Sequence, residues 1–246
     1  MRIINEAAFV ARPTAVLFDL DHTLYDHDRA HAGGMRATRE RVKSALNVSA
    51  AGFDAAFGTS RAATKARLGA TAASHSRLLY FTAMLEQLGF GPQPLLALDL
   101  EQTYWRAFLR GAVLVPGAMD LLTELRAHGI PLGLVTDLTA QIQFRKLVYF
   151  GIDRLFDAVV TSEEAGTDKS GHVPFHLALS KLGVAAGSPV WMIGDSQADI
   201  GGAKAALGAT TIQKLWSVAG LRILRDADAV IHDIGPCVSW VQRRFA

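Results

Sequence analysis

Carboxylates stand at the end of the first strand-like run of this sequence, in a spacing that suits nucleophilic and acid–base chemistry. Asp19 and Asp21 close the β-rich run 14–20, and Thr23 follows them. Residues two apart on an extended strand point to the same face. Both carboxylates can therefore face one ligand bound beyond the end of the strand. The pattern predicts an active site at the end of this strand.

Further polar side chains follow three later strand-like runs. Ligands of parallel α/β sheets bind beyond the carboxyl ends of the strands, so these side chains should share one rim with Asp19. Oxygen-only carboxylate clusters favour Mg²⁺ over zinc, whereas an ammonium and a helix N-terminus attract an anion. Mg²⁺, an anion and a nucleophilic carboxylate together indicate phosphoryl transfer. The side chains are those of Thr136, Asp137, Lys169, Asp195 and Asp199.

Short apolar runs alternate with amphipathic helical patterns along most of the chain. The runs are continuous rather than alternating, which is typical of strands buried on both faces of a parallel sheet. The predicted strands are 14–20, 131–135, 158–161 and 190–193, with weaker candidates at 209–213 and 229–231. The predicted helices between them are 116–128, 139–150, 174–182 and 197–207. This order predicts a doubly wound, Rossmann-like α/β fold.

The rhythm breaks after the first strand, where about ninety residues contain only helical patterns. The block is too long for one crossover helix, so it predicts an inserted helical subdomain. We expect an α/β core at 1–25 and 112–246 and a helical cap at 26–111. Between residues 27 and 77 the sequence has nine Lys and Arg against three acids, a surplus that would attract an anionic substrate.

These motifs resemble the haloacid dehalogenase (HAD) superfamily, in its phosphatase-type, phosphoglycolate phosphatase-like branch with a helical cap inserted after the first strand. The first motif of that family is read here as Asp19-Leu20-Asp21-His22-Thr23, and the second as Thr136. The third is Lys169, and the fourth runs from Gly194 to Asp199. All four occur in order and span nearly the whole chain.

The resemblance implies a role for each site residue. Asp19 would attack phosphorus and form an aspartyl-phosphate, and Asp21 would serve as general acid and then base. Thr136 and Lys169 would hold the phosphoryl oxygens, with Thr23 and Asp137 as further substrate-binding residues. The implied ligands of Mg²⁺ are Asp19, the backbone carbonyl of Asp21, Asp195 and, directly or through water, Asp199, which could instead orient Lys169.

Two positions depart from the family pattern. Asp137 stands where Asn or Gly commonly follows the second-motif threonine, and a carboxylate beside a phosphate is unfavourable unless it turns away. The residues after Lys169 are Ser170-Gly171-His172 rather than Pro-x-Pro, which loosens the loop. Lys146, in the middle of a predicted helix, is an alternative third-motif lysine.

Composition limits the remaining possibilities. The chain has 246 residues, half of them hydrophobic, and a net charge of +2 from 25 basic and 23 acidic residues. Such balance argues against a nucleic-acid partner, and no apolar run reaches transmembrane length. The single cysteine, Cys237, is expected to be buried and inert, which fits a cytoplasmic protein. We expect a monomer or a homodimer acting on a small anionic phosphorylated substrate.

Four activities remain open at this point. The leading one is Mg²⁺-dependent hydrolysis of a small phosphorylated metabolite. A haloacid dehalogenase proper would lack Asp21 and need no metal, whereas a phosphomutase of the family would often have Val in place of Thr23. A phosphate-binding regulatory protein that has lost turnover is suggested by Asp137 and the altered loop after Lys169.

Overall fold

The chain divides into two compact units, Met1–Asp26 with Val113–Ala246 and His27–Ala112. A computed structural model describes residues 1–216 and 222–245, so 217–221 and 246 of the predicted core range lie outside the described residues. None of the helices in these described ranges is long and apolar enough to cross a membrane.

The first unit is built on a seven-stranded sheet in the order β1-β7-β6-β5-β2-β3-β4. All neighbouring strands are parallel except β1, which pairs with β7 in the antiparallel sense. The strands are β1 Arg2–Ile3, β2 Ala15–Phe18, β3 Leu132–Thr136, β4 Ala158–Thr161, β5 Val190–Gly194, β6 Thr210–Lys214 and β7 Ala229–Ile231. The predicted doubly wound α/β fold is confirmed. Only β1 has no counterpart in the sequence pattern, because two residues are too few to show a period.

Four helices form the second unit: α1 His27–Leu46, α2 Ala50–Leu68, α3 Arg77–Gln87 and α4 Pro94–Gly111. The long helices α1 and α4 pack closely, and a Cβ on Gly34 would lie 2.7 Å from the Tyr104 ring. Only glycine allows this approach. A single 3₁₀ turn, Ala72–His75, joins α2 to α3.

The described part of the first unit has six helices: α5 Ala118–Ala127, α6 Ala140–Phe150, α7 Ser162–Ala165, α8 Val173–Leu182, α9 Gln197–Leu207 and α10 Gly235–Phe245. Two 3₁₀ turns accompany them, Glu6–Phe9 and Lys169–Gly171. One face of the sheet packs on α8 and α9 through Leu17, Val160 and Phe175, all fully buried. Hydrophobic burial of this kind fixes the strands whose ends carry the polar residues.

The strand order places β2 at the point where the chain changes direction across the sheet. From β2 the chain proceeds through β3 to β4 on one side, and then β5, β6 and β7 continue on the other side. Loops on either side of such a point diverge and leave a crevice at the carboxyl ends of the strands. Residues that follow β2 and β5 therefore meet there.

Candidate active site

Asp19 is the central residue of this crevice. Strand β2 ends at Phe18, and the Asp19 N–H donates to the Ile193 carbonyl of β5 at 2.9 Å. The Asp19 side chain is buried, and each of its oxygens has a partner. Lys169 Nζ donates to Oδ1 at 2.5 Å, and Thr23 Oγ1 donates to Oδ2 at 2.9 Å. The carboxylate is thus held in one orientation.

A tight turn, rather than strand alternation, brings Asp21 and Thr23 to the site. The N–H groups of Thr23 and Leu24 both return to the Leu20 carbonyl, and His22 lies at φ 63°. The prediction that Asp19 and Asp21 share one face of an extended strand is therefore wrong, because the strand has already ended. The Thr23 hydroxyl donates its one proton to Asp19, so it orients the nucleophile candidate, and its substrate-binding role stays a prediction.

Lys169 links two carboxylates in the buried part of the site. It opens the Lys169–Gly171 turn, and its Nζ lies 2.5 Å from Asp19 Oδ1 and 2.6 Å from Asp199 Oδ1. The Asp137 carboxylate accepts the backbone N–H of Lys169 at 3.0 Å. Asp137 therefore turns toward the loop that carries Lys169. Its hydrogen bond restrains this loop, in which Ser170-Gly171-His172 replaces Pro-x-Pro.

Asp199 is held by the start of α9. Its Oδ2 accepts the Ser196 N–H at 3.0 Å and the Ser196 hydroxyl at 2.7 Å, while the Ser196 side chain accepts the Asp199 N–H at 3.2 Å. This is a capping box, which satisfies donors at the helix N-terminus. The Ser196 contacts fix the Asp199 side chain, and its other oxygen, Oδ1, lies against Lys169 Nζ. Of the two roles suggested for Asp199, this arrangement supports orientation of Lys169.

Three carboxylates lie close enough to share a cation. One oxygen from each of Asp19, Asp195 and Asp199 lies within 4.8 Å of the others. Burial is the main factor that raises the pKa of Asp19 well above its usual value, with Lys169 opposing it. Burial, reinforced by Asp199, raises the pKa of Asp195 to about 6, while His22 and Lys169 lower it. The site thus has carboxylates whose charge only nearby cations can stabilise.

Thr136 is the last residue of β3, the strand that pairs with β2, and a buried glutamine orients it. Gln143 Nε2 of α6 donates to Thr136 Oγ1 at 2.6 Å and to the Asp137 carbonyl at 2.7 Å. The Thr136 hydroxyl accepts this bond, which leaves its own proton for another acceptor. The loop that follows is strained, with Leu138 at φ 117°. Ser162 stabilises it by accepting the Leu138 N–H at 2.9 Å.

Gln143 and Lys146 are site residues that sequence analysis did not assign correctly. Both are fully buried on α6, three residues apart and so on one helix face. Lys146 does not replace Lys169, because its Nζ contacts Asp21, at 2.7 Å to Oδ1 and 2.9 Å to Oδ2. Two polar residues within the apolar face of an amphipathic helix were the signal that could have identified them.

The burial of Lys169 does not remove its charge. Burial alone would lower its pKa, but Asp19, Asp199 and Asp137 outweigh that effect and raise the pKa of Lys169 well above its usual value. An ammonium group therefore stays beside Asp19. It can stabilise negative charge that develops on a group transferred to that carboxylate.

Comparisons with known proteins identify the family of this chain. A family model for haloacid dehalogenase-like hydrolases matches residues 13–206. A ribulose-1,5-bisphosphate 5-phosphatase from Halopiger xanaduensis is 40% identical over 200 residues, covering 81% of this chain and 83% of that protein. A glyceraldehyde 3-phosphate phosphatase from Methanopyrus kandleri is 30% identical over 200 residues, covering 81% and 82%.

The solved structures show the same fold. The structure of a HAD phosphatase from Thermococcus onnurineus superposes with a TM-score of 0.70 at 24% identity, covering 92% of this chain and 97% of that one. The family model spans most of the present sequence, and two phosphatases are at least 30% identical to it over 200 aligned residues. The chain therefore belongs to the haloacid dehalogenase-like hydrolases, and within them it is a phosphatase.

Proposed function

We propose that this protein is a Mg²⁺-dependent phosphatase that hydrolyses a small phosphorylated metabolite through an aspartyl-phosphate on Asp19. The observation that carries the proposal is the unequal environment of two neighbouring carboxylates. Asp19 is buried against Lys169, whereas the Asp21 side chain is 27% exposed. Two carboxylates in different environments can divide the roles of nucleophile and proton carrier.

The donor set fits the proposed magnesium ion. Asp19 and Asp195 would hold it, with the Asp21 carbonyl as a third ligand. Asp199 would pair with Lys169 and keep the lysine in place. All donors are oxygen, and the clustered carboxylates need positive charge to stay ionised together. When bound, Mg²⁺ would supply charge stabilisation to the phosphoryl oxygens.

In the first step, an Asp19 oxygen attacks phosphorus while the bond to the leaving-group oxygen breaks. The electron pair leaves with that oxygen, and Asp21 donates the proton that neutralises it. Lys169 and the Thr136 hydroxyl hold the phosphoryl oxygens, whose charge they stabilise. Gln143 keeps the Thr136 proton directed away from α6.

In the second step, water attacks phosphorus of the aspartyl-phosphate. Asp21, now a carboxylate, accepts the proton of that water, and the bond between phosphorus and Asp19 breaks. Inorganic phosphate leaves, Asp19 is again a carboxylate, and Asp21 again carries the proton that it donates in the first step. Asp137 contributes by anchoring Lys169.

The names of the relatives suggest the class of substrate. One acts on ribulose 1,5-bisphosphate and another on glyceraldehyde 3-phosphate, both phosphorylated sugars. We propose a small sugar phosphate, with the helical unit His27–Ala112 as the cap that selects it. The single cysteine supports a cytoplasmic location, and the balanced charge supports the absence of a nucleic-acid partner. That the protein acts as a monomer or a homodimer and has no membrane partner stays a prediction.

Phosphate release tests the proposal. Wild-type protein with Mg²⁺ is assayed on a panel of sugar phosphates that includes ribulose 1,5-bisphosphate, together with p-nitrophenyl phosphate. Asp19→Asn removes the nucleophile and should lower kcat by at least about 1,000-fold, because covalent catalysis is lost. Undiminished turnover by Asp19→Asn would refute the nucleophile assignment.

The same assays separate the remaining activities. Halide release from 2-haloacids without Mg²⁺ would indicate a dehalogenase, and an isomeric sugar phosphate as product would indicate a mutase. Phosphate binding without turnover across the panel would indicate a regulatory protein. The Asp137 contact with the Lys169 N–H supports hydrolysis over this last case, because Asp137 stabilises the loop instead of opposing the substrate.

A further inference from the structure

The carboxylate of Asp21 is held by two side chains that none of the family motifs includes. Lys146 Nζ donates to both of its oxygens, at 2.7 Å and 2.9 Å, and the Tyr25 hydroxyl donates to Oδ1. Tyr25 also contacts the lysine, since Lys146 Nζ lies 5.7 Å from the centre of its ring. Two residues from different segments of the chain thus donate to one carboxylate.

The packing of α6 does not explain a lysine at position 146. Its side chain is fully buried, next to Leu147 and one turn from Ile142 on the inner face of the helix. A buried ammonium is costly unless it is paired, and a hydrophobic residue of similar size would stabilise the fold as well or better. The ion pair with Asp21 is therefore the reason for a charge at this place.

Tyr25 is equally well fixed. It is fully buried, its ring packs on Phe150 at 5.0 Å, and its backbone forms bridges with Asp21 and Leu114. Its hydroxyl is thus held at a set position relative to Asp21. Both donors belong to rigid parts of the first unit, which is what accurate placement of a reacting group requires.

We propose that Lys146, assisted by Tyr25, is a positioning residue that holds the Asp21 carboxyl where it transfers protons. The inference rests on the proposed function, in which Asp21 protonates the leaving-group oxygen as the phosphorus–oxygen bond breaks. Lys146 touches neither substrate nor phosphorus in this role. It acts through Asp21 by restricting the rotation of that side chain.

The leaving group provides the test. Lys146→Met keeps the volume and removes the charge. Its kcat/KM, which reports only the steps up to formation of the aspartyl-phosphate, is measured on phenyl phosphate and on p-nitrophenyl phosphate with Mg²⁺. These substrates are alike in shape, but the nitro group stabilises the leaving phenolate, so only phenyl phosphate needs protonation strongly. We expect kcat/KM to fall about 10- to 100-fold on phenyl phosphate and less than about threefold on p-nitrophenyl phosphate, because only the first of these needs its leaving group protonated.

Three further variants make the result specific. Lys181→Met removes another lysine–carboxylate pair of the same unit, with Glu164, and should leave both rates unchanged. Lys146→Arg should recover part of the lost rate. Tyr25→Phe keeps the buried ring and removes one donor, so it should show a smaller loss with the same leaving-group selectivity, and it serves if Lys146→Met does not fold.

Equal losses on the two substrates would overturn the inference, since they would indicate a general structural defect. So would unchanged or higher rates, which would mean that Lys146 holds Asp21 away from the substrate. In an Asp21→Asn background, Lys146→Met should cause no further loss, because the group it positions is already disabled. If Asp21→Asn itself has no effect on phenyl phosphate, the proposed role of Asp21 fails first, and the two failures are thereby distinguished.

Discussion

At the residue scale, the site is a set of buried charges that hold one another in place. Lys169 connects Asp19 to Asp199, and Lys146 holds Asp21. In a buried environment each charge is stable only with its partner, so each side chain keeps one geometry. A nucleophile held this way approaches its substrate without reorganisation, which lowers the barrier to reaction.

Gln143 provides a prediction at this scale. Gln143→Leu removes the donor to Thr136 Oγ1, so the threonine proton is no longer directed to the substrate. We expect kcat to fall roughly tenfold, because one aligned hydrogen bond to the transition state is weakened. The free energy of unfolding should fall by about 1–3 kcal/mol, because buried acceptors lose their donor. Gln141→Leu, at an exposed position of the same helix, is the control, and equal kcat in both variants would contradict the assignment.

At the element scale, the junction of β5 and α9 sets the position of Asp199. Gly194 ends the strand, and the capping box of Ser196 and Asp199 begins the helix. A Cβ on Gly194 would lie 2.4 Å from Asp199 Cβ and 2.6 Å from its Cγ. The Asp199 side chain therefore packs directly against the backbone of Gly194. Only a residue without a side chain at position 194 permits this contact.

Gly194→Ala therefore tests the junction. The added methyl group must displace Asp199, which costs about 1–3 kcal/mol of unfolding free energy, as overpacking of a core does. Activity should fall as well, because Asp199 would no longer hold Lys169. Gly58→Ala in α2 meets no atom within 4 Å and should stabilise the protein by up to about 1 kcal/mol. Urea unfolding of both variants gives the comparison, and a Gly194→Ala protein as stable as wild type would show that the contact is relaxed.

At the scale of the whole molecule, the near-zero net charge conceals local imbalance. The first unit gathers carboxylates at one rim of its sheet, whereas residues 27–77 carry the basic surplus. Part of that surplus is neutralised within the second unit, since Arg39 pairs with Asp54 and Arg41 with Asp99. The remaining cations would raise the local concentration of anionic substrates.

The clustered carboxylates predict a dependence of global stability on Mg²⁺. A ligand at 100 times its dissociation constant stabilises the native state by about 2.7 kcal/mol. We expect Mg²⁺ to raise the Tm of the wild-type protein, and Asp195→Asn to lose most of that increase. Sodium chloride at matched ionic strength serves as the control. An identical increase in Asp195→Asn would show that the ion binds elsewhere.

Asp228 joins distant parts of the first unit and predicts a pH effect. It accepts from Asn5 at 2.8 Å, from the Thr211 N–H at 2.9 Å and from Lys204. Burial alone would raise the pKa of Asp228, but these donors outweigh it and lower the pKa below its usual value. The ionised form therefore stabilises the fold above about pH 4, and that contribution is lost as pH falls through the folded-state pKa.

Asp228→Asn should accordingly lower the unfolding free energy at pH 7 by about 1–3 kcal/mol. The difference from wild type should shrink as the pH falls from about 4 through the lower folded-state pKa, where the wild-type side chain loses its charge. Urea titrations at several pH values measure this, with exposed Asp153→Asn as the control. A difference that persists unchanged at low pH would exclude ionisation as its cause.

Much of the architecture follows from local patterns in the chain. Residues 158–161 and 229–231 were predicted as strands and 197–207 as a helix, with bounds identical to those of β4, β7 and α9. Such elements are predictable because hydrophobic periodicity and glycine stops act over neighbouring residues. Helix α10 was not predicted, although Pro236 in its first turn is a helix start signal.

The sequence alone determined which residue types meet at the rim of the sheet, because strand order and the carboxyl ends of parallel strands bring the motifs together. Only the tertiary structure decided how they pair. It placed Lys169 between Asp19 and Asp199, turned Asp137 to the loop, and assigned Lys146 to Asp21. These contacts join residues far apart in the chain, with a separation of 125 residues between Lys146 and Asp21 and of 32 between Lys169 and Asp137. A local pattern has no information about such contacts, since they are set by how the helices pack on the sheet.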